Sequence, residues 1–219
     1  MLALATQPAN ASSLADRIAE AIATRIVRGD LAPDTPIRQD HVAAEFGASH
    51  VPVREAFRKL EPRGLVIAAP RRGVRVAPLD AGSVLEVIEM RAALETLALR
   101  HAMPNLTATD LESAAAALAE GEASADIAVW EAANRRFHGA LMRPCRMPRL
   151  LAAIDDLHQA SARYLFATWK GLAWQPRSDA EHHAILKACR AGDVEAATTA
   201  TSDHILEAGR ALAVTLGST

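Results

Sequence analysis

Aromatic side chains are scarce in this 219-residue chain, with Phe, Trp and Tyr together at 4%. Half of the residues are hydrophobic and alanine is abundant, a composition that favours closely packed helices over a sheet-rich fold. Cysteine occurs twice, at Cys145 and Cys189. That spacing makes neither a metal motif nor a disulfide framework, and it points to a reducing compartment. No apolar run reaches the length that spans a bilayer. The opening MLALATQPANAS lacks the basic start and long apolar core of a signal peptide, and residues 1–12 read as a disordered tail. A soluble, cytoplasmic protein with no membrane partner is expected.

Strong net charge is also missing, at −2 overall, but the two halves differ. Residues 1–78 hold 11 Lys and Arg against 8 Asp and Glu, whereas the remainder holds 13 against 18. A mildly basic module that touches a polyanion, joined to an acidic one that does not, fits this division.

What is present is helical periodicity. Leu14, Ile18, Ile22 and Ile26 mark a first amphipathic helix, with Asp16 and Glu20 early and Arg25 and Arg28 late, as the helix dipole favours. Gly29 and APDTP stop it. Residues 39–46 form a short helix, and Gly47 turns the chain into SHVPVREAFRKL. There Ser49 is an N-cap, Pro52 is tolerated in the first turn, and Val53, Ala56, Phe57 and Leu60 form a buried stripe. His50, Arg54 and Arg58 are left on or near the opposite face. Val66 and Val74–Val76 flank the arginine-rich tip PRRG of a hairpin. After Pro78 everything reads as helix, over about 81–102, 107–122, 126–143, 147–168, 178–191 and 193–216.

The expected fold is therefore mostly α. A winged helix-turn-helix of three helices plus a β-hairpin occupies 13–78, and an all-α antiparallel helical bundle occupies 79–219. In such a plan the third helix enters the major groove and cations hold phosphates. Arg38, Ser49, His50, Pro52, Arg54, Arg58, Arg71, Arg72 and Gly73 are the candidate DNA-binding residues, Arg71 and Arg72 sitting at the ribbon tip. A merely solvated basic face is the alternative.

In the bundle, His182 shares a stripe with Ile185, Leu186 and Cys189, whereas His183 shares one with Lys187 and Arg190. His182 should point inward and His183 outward. Asn134 and His138 are i, i+4 and share a face with Leu141, and His204 lies along Ala197, Ala208 and Leu212. Buried imidazoles require hydrogen bonds, a ligand or a metal. Each alone reads as a core histidine. Asn134, His138, His182 and His204 together make a plausible shell for zinc foremost, or for nickel or manganese. His158, near Leu151 and Ile154, reads as core, and Glu181 should point away from its neighbour His182.

The stretch IVRGDLAPDTPI…HVAAEFGASHVPVREAFRKLEPRGLVIAAPRRGVRV resembles the DNA-binding domain of the GntR family of bacterial transcription regulators, over about residues 14 to 78. The resemblance implies recognition-helix roles for Ser49, His50, Pro52 and Arg54 and a wing formed by Arg71, Arg72 and Gly73. Three departures stand out: His50 where the family usually has arginine, Pro33-Asp34 where it usually has Pro-Gly, and Asp40 where some relatives have arginine. From about 81 to 216, EMRAALE, Asn134-x3-His138, EHHAIL and His204 resemble the FCD domain of the FadR subgroup. That resemblance implies a divalent metal held by Asn134, where many members have Asp, and by His138, His182 and His204. It also implies a small carboxylate effector completing the metal shell. Arg91 is a candidate partner for that carboxylate, or else an ion pair for Glu95; Arg163 and Tyr164 are further candidate lining residues.

The function expected is a ligand-responsive repressor, not an enzyme, binding double-stranded, pseudo-palindromic operator DNA as a homodimer. The rivals are a metal-dependent hydrolase or lyase, and a metabolite sensor that does not bind DNA.

Overall fold

The computed structural model describes residues 12–69, 73–168 and 175–217. The expected tail lies almost wholly outside these residues, as do Arg71 and Arg72. The elements run α1 (Leu14–Val27), β1 (Pro36–Ile37), α2 (Gln39–Glu45), α3 (His50–Leu60), β2 (Val66–Ala69), β3 (Gly73–Val76), α4 (Ala81–Ala102), α5 (Ala108–Glu122), α6 (Ile127–Met142), α7 (Pro148–Thr168), α8 (Gln175–Ala191) and α9 (Val194–Gly217).

Local chemistry sets the boundaries. A reciprocal capping box, Ser13 with Asp16, opens α1, and Thr107 with Asp110 opens α5. The Asp80 side chain accepts from the Ser83 N–H at 2.8 Å and starts α4. Gly47, at φ +57°, makes the left-handed turn between α2 and α3 that a residue with a Cβ would resist. Asp34 also sits at φ +61°, a conformation that Asp tolerates better than most residues but that favours glycine. The Pro33-Asp34 substitution thus keeps the turn at some cost in strain.

The head packs Ile18, Ile22 and Ile26 of α1 against Val53, Phe57 and Leu60 of α3 and against Val66 and Val76 of the sheet. Leu14, expected on the same stripe, is the first residue of the helix and is 38% exposed. The hairpin is joined by β1, giving an antiparallel sheet of order β1-β3-β2, with Ile37 opposite Val74 and Val66 opposite Val76. At two residues, β1 is too short to leave an alternating pattern in the sequence.

The bundle is built around α4, which packs on α9 and α7. Its cores gather Val84, Ile88, Ile205 and Leu212 at one end, and Leu99, Phe137, Leu141, Ile185 and Leu186 at the other. Helices α4 and α9 touch at Gly209, where an added Cβ would lie 2.8 Å from the Ile88 Cβ. A Cβ cannot swing aside as a side-chain tip can. Gly209→Ala should therefore lower stability by about 1–3 kcal/mol, read as a lower urea midpoint at unchanged m-value.

Head and bundle meet through α7. Arg163 donates to the carbonyls of Gly64 (2.9 Å), Ala77 and Pro78 (3.4 Å), and Arg63 lies 2.8 Å from Glu20 and 3.8 Å from Asp156.

Candidate functional site

Two surfaces carry chemistry, and the first is the outer face of the head. Ser49 occupies the N-cap position of α3, yet its hydroxyl makes no capping bond and stands exposed. The expectation of an N-cap holds for position but not for hydrogen bonding. His50 lies 3.4 Å from Asp40, and its carbonyl accepts from the Gln39 amide at 2.9 Å, which ties α2 to the start of α3. Pro52 is half-buried in the first turn. Arg54 and Arg58 follow one turn apart, exposed and with no ion pair among the described residues, and with Arg38 they border one groove of about 430 Å³. The valines of the ribbon and the acidic Asp40 and Glu61 share its wall. Other cations of the head are tied down: Lys59 to Asp16, Arg25 to Glu45 at 3.1 Å, Arg63 to Glu20. Gly73 opens β3 at the base of the ribbon tip.

The second surface is inside the bundle. His138 from α6, His182 from α8 and His204 from α9 are all buried, and their ligand atoms lie within 4.8 Å of one another. Nε2 of His182 is 3.3 Å from Nε2 of His138. Two imidazoles on one tetrahedral zinc, each about 2.0–2.1 Å from it, would bring their nitrogens about 3.4 Å apart. Nδ1 of His138 faces Glu95 Oε2 at 3.1 Å, and Nδ1 of His204 faces Glu181 Oε2 at 2.8 Å. Glu181 accepts the Nδ1 proton of His204 and so leaves its Nε2 bare for a cation, and the Glu95 charge beside His138 Nδ1 favours the same tautomer there. Asn134 Oδ1 is buried with no hydrogen-bond partner and borders both the space beside His204 and a small void beside His182. An orphaned carbonyl beside three imidazoles is the donor set a divalent ion takes. His183 points outward, as expected, and pairs with Glu122 at 2.6 Å.

Beside the cluster lies a cavity of about 50 Å³, bordered among others by Arg91, Asn134, His158, Ser161, Ser178 and His204. Arg91 is buried. Its Nε donates to Glu95 at 2.8 Å, one terminal nitrogen donates to Ser161 Oγ at 3.0 Å, and the other lies 3.4 Å from His158 Nε2. The ion pair with Glu95 is present, and Arg91 also borders the cavity. Four placements differ from the sequence reading. Arg163 turns to the head, and Tyr164 packs in the core with Val84 and Ile205; neither borders the cavity. His158 borders it instead of being plain core, with its Nε2 3.1 Å from Glu95 Oε1. Glu181 does not point away: it reaches across to His204 and is held by Arg177 at 2.8 Å. So engaged, Glu181 is no free general base.

The electrostatics favour a cation at neutral imidazoles. Burial pushes the His138, His182 and His204 rings down from their ordinary range, His182 well below it, and mutual repulsion adds to this. Burial alone would push the Glu95 carboxyl up, but Arg91, then His158 and His138, hold it well below the usual carboxylate range. The sign for stability follows. Below about pH 6.5 the unfolded histidines take up protons that the folded ones refuse. Metal-free protein should therefore lose stability as pH falls through that value, by up to about 1.4 kcal/mol per pH unit for each such histidine. Urea midpoints at pH 7.5 and 5.5 measure it.

A helix-turn-helix head with a three-stranded wing on a helical bundle defines a DNA-binding transcription regulator. The profile of the bacterial regulatory proteins of the gntR family matches residues 14–76, and that of the FCD domain matches residues 86–207. The chain belongs to the GntR family, with an FCD domain as its second half. It is similar to a probable D-xylose utilization operon transcriptional repressor of Paenarthrobacter nicotinovorans, with 31% identity over 198 residues covering 89% of this chain and 86% of that one. It is also 28% identical to the galactonate operon transcriptional repressor of Escherichia coli K12, covering 90% and 96%. The solved structure of E. coli McbR/YncC shares the fold at a TM-score of 0.78 and 23% identity, covering 92% of this chain and 98% of that one. The relatives are transcription regulators and not enzymes. Among the described residues no helix is long and apolar enough to cross a membrane.

Proposed function

We propose that the chain is a cytoplasmic, homodimeric repressor whose hold on a pseudo-palindromic operator is set by a small carboxylate bound beside a divalent metal. The observation that carries this is the buried imidazole cluster opening onto a cavity that also contains the Arg91 guanidinium. Asn134, His138, His182 and His204 would hold the ion, zinc foremost, with nickel or manganese as alternatives. Bound there, the ion supplies a fixed positive anchor for a carboxylate oxygen. Four neutral ligands leave its double charge undiminished, which favours an anionic effector over a neutral one.

Dimerisation is supported by α4, where Met90 and Leu97 stand exposed two turns apart on one side, an apolar strip a second copy would cover. Coupling is supported by α7. His158 and Ser161 of this helix border the cavity, and Arg163, five residues beyond His158, grips the carbonyls of the head and linker. A ligand that shifts α7 would shift the spacing of the two heads, and operator affinity would follow its differential affinity for the two arrangements.

The test is filter binding to the DNA flanking the protein's own gene. Metal-loaded protein should lose affinity steeply with salt, and an effective small carboxylate should change its dissociation constant about 5- to 150-fold. Metal-stripped protein should lose that response. Flat, weak binding at all salt concentrations would overturn the DNA reading, and an unchanged response without metal would overturn the anchor. Arg163→Ala should bind DNA and carboxylate separately but lose most of the coupling between them, seen as a collapse of the effector-induced change in filter binding.

A further inference from the structure

We propose that Glu131 makes the bundle cavity selective for hydroxylated monocarboxylates and against dicarboxylates; this rests on the effector reading above and deepens it. Glu131 lies on α6 three residues before Asn134 and seven before His138, so all three share one helix face. Its side chain is 13% exposed and borders the same cavity as Arg91, Asn134 and His204. It also borders the groove of about 450 Å³ that Arg135, Arg136 and Arg143 line on the outer side of α6 and α7. Glu131 thus stands where the inner cavity meets an arginine-lined approach.

The two buried acids of this region are in opposite situations. Glu95 is fully buried and committed, with Arg91, His138 and His158 around it. Glu131 makes no hydrogen bond among the described residues, and its one ion pair is a long one, 3.9 Å to Arg135. Its oxygens are free to accept. A second uncommitted group faces the same space, since Ser178 is fully buried, borders the cavity, and has an Oγ without a partner. A free carboxylate acceptor and a free hydroxyl are what ligand hydroxyl groups pair with.

Charge decides the rest. The Arg91 and Glu95 charges cancel, and the imidazoles are neutral, so a bound divalent ion and Glu131 leave the cavity with a single net positive charge. One ligand carboxylate neutralises it. A second would bring a surplus negative charge against Glu131 in a site that excludes most water, where like charges repel strongly.

Glycerate and malonate have the same number of carbons and oxygens, but malonate carries a second carboxylate in place of the terminal CH2OH and lacks the hydroxyl on the middle carbon, which makes them a size-matched pair of probes. Titration calorimetry of zinc-loaded protein at pH 8, where a carboxyl pushed up by burial carries its charge, should give glycerate at least a tenfold lower dissociation constant than malonate. Glu131→Gln should weaken glycerate several-fold and tighten malonate about tenfold, with zinc content unchanged by elemental analysis. Glu131→Asp, which keeps the charge, should retain the wild-type order. Malonate binding as tightly as glycerate in the wild type, or an unchanged ratio in Glu131→Gln, would overturn this inference alone. Failure of glycerate, malonate and propionate alike to bind the zinc-loaded protein would overturn the effector reading, and this inference with it.

Discussion

His182→Ala should strip the protein of its metal, while His183→Ala, one residue away, should leave the metal content unchanged. The two side chains differ by about 100° around α8, and the fold turns that angle into opposite fates. His182 is buried, with Nε2 3.3 Å from the His138 Nε2, and it has no acid partner of its own among the described residues. His183 is exposed and its Nε2 is engaged by Glu122. Losing one of four ligands should cost more than the 10–100-fold that loss of an outer hydrogen-bond partner costs. Glu181→Gln supplies that milder case, because it leaves His204 in place but weakens the acceptor that fixes its Nδ1 proton. Elemental analysis after gel filtration should rank the variants His182→Ala lowest, Glu181→Gln intermediate, and His183→Ala equal to wild type. His182 also packs its ring against Phe137, 4.6 Å between centroids, so truncation leaves a void. His204→Ala, at the other side of the cluster, provides an independent ligand deletion. Equal loss in His183→Ala would overturn the assignment of faces.

Inward and outward faces were legible because they depend on helical periodicity alone. His182, His138 and His204 each lie on a stripe of apolar residues, and the fold brings the three stripes to one centre. What the sequence could not convey is reach across helices. Glu181 adjoins His182 in sequence, yet its carboxylate engages His204 on a neighbouring helix, and no periodicity within α8 contains that fact. His158 sits on an apolar stripe like any core histidine, and its role follows only from the packing of α7 on α4, which sets it beside Arg91 and Glu95. Arg163 was a candidate lining residue, and nothing in the sequence decides where its guanidinium goes. One helical turn beyond His158 the helix has rotated toward the linker, and three backbone carbonyls there offered better partners. The third strand escaped for a different reason. Pro36 and Ile37 join β3 because a strand edge was available to them, not because two residues prefer extended structure. The head was the more legible half, since its elements are consecutive and its turns carry Gly47 and Gly64, both at positive φ.

Arg54→Ala should lower operator affinity at least about 30-fold with no change in thermal stability. Arg54 is exposed on α3 one turn beyond His50, it makes no ion pair among the described residues, and the buried stripe of Val53, Ala56, Phe57 and Leu60 lies on the other side of the helix. Nothing among the described residues uses the guanidinium, so its removal should leave the fold intact and take away only what it does for DNA. A bidentate contact to guanine accounts for about 1–3 kcal/mol of discrimination, and a dimer would lose that contact in both half-sites. The salt series tells the two kinds of contact apart. If Arg54 grips a phosphate, binding weakens on every sequence and the slope of log affinity against log salt falls by about one per lost contact. If it reads a base edge, the slope changes less and discrimination at one symmetric pair of positions disappears. Lys59→Ala is the control, because Lys59 lies on the same helix but is held by Asp16, whose carboxyl it helps to lower to about 2. A cation already satisfied within the head should matter little to DNA, so Lys59→Ala should change affinity less than Arg54→Ala. A variant pair with equal losses would mean that general charge, not the placement of α3, governs binding.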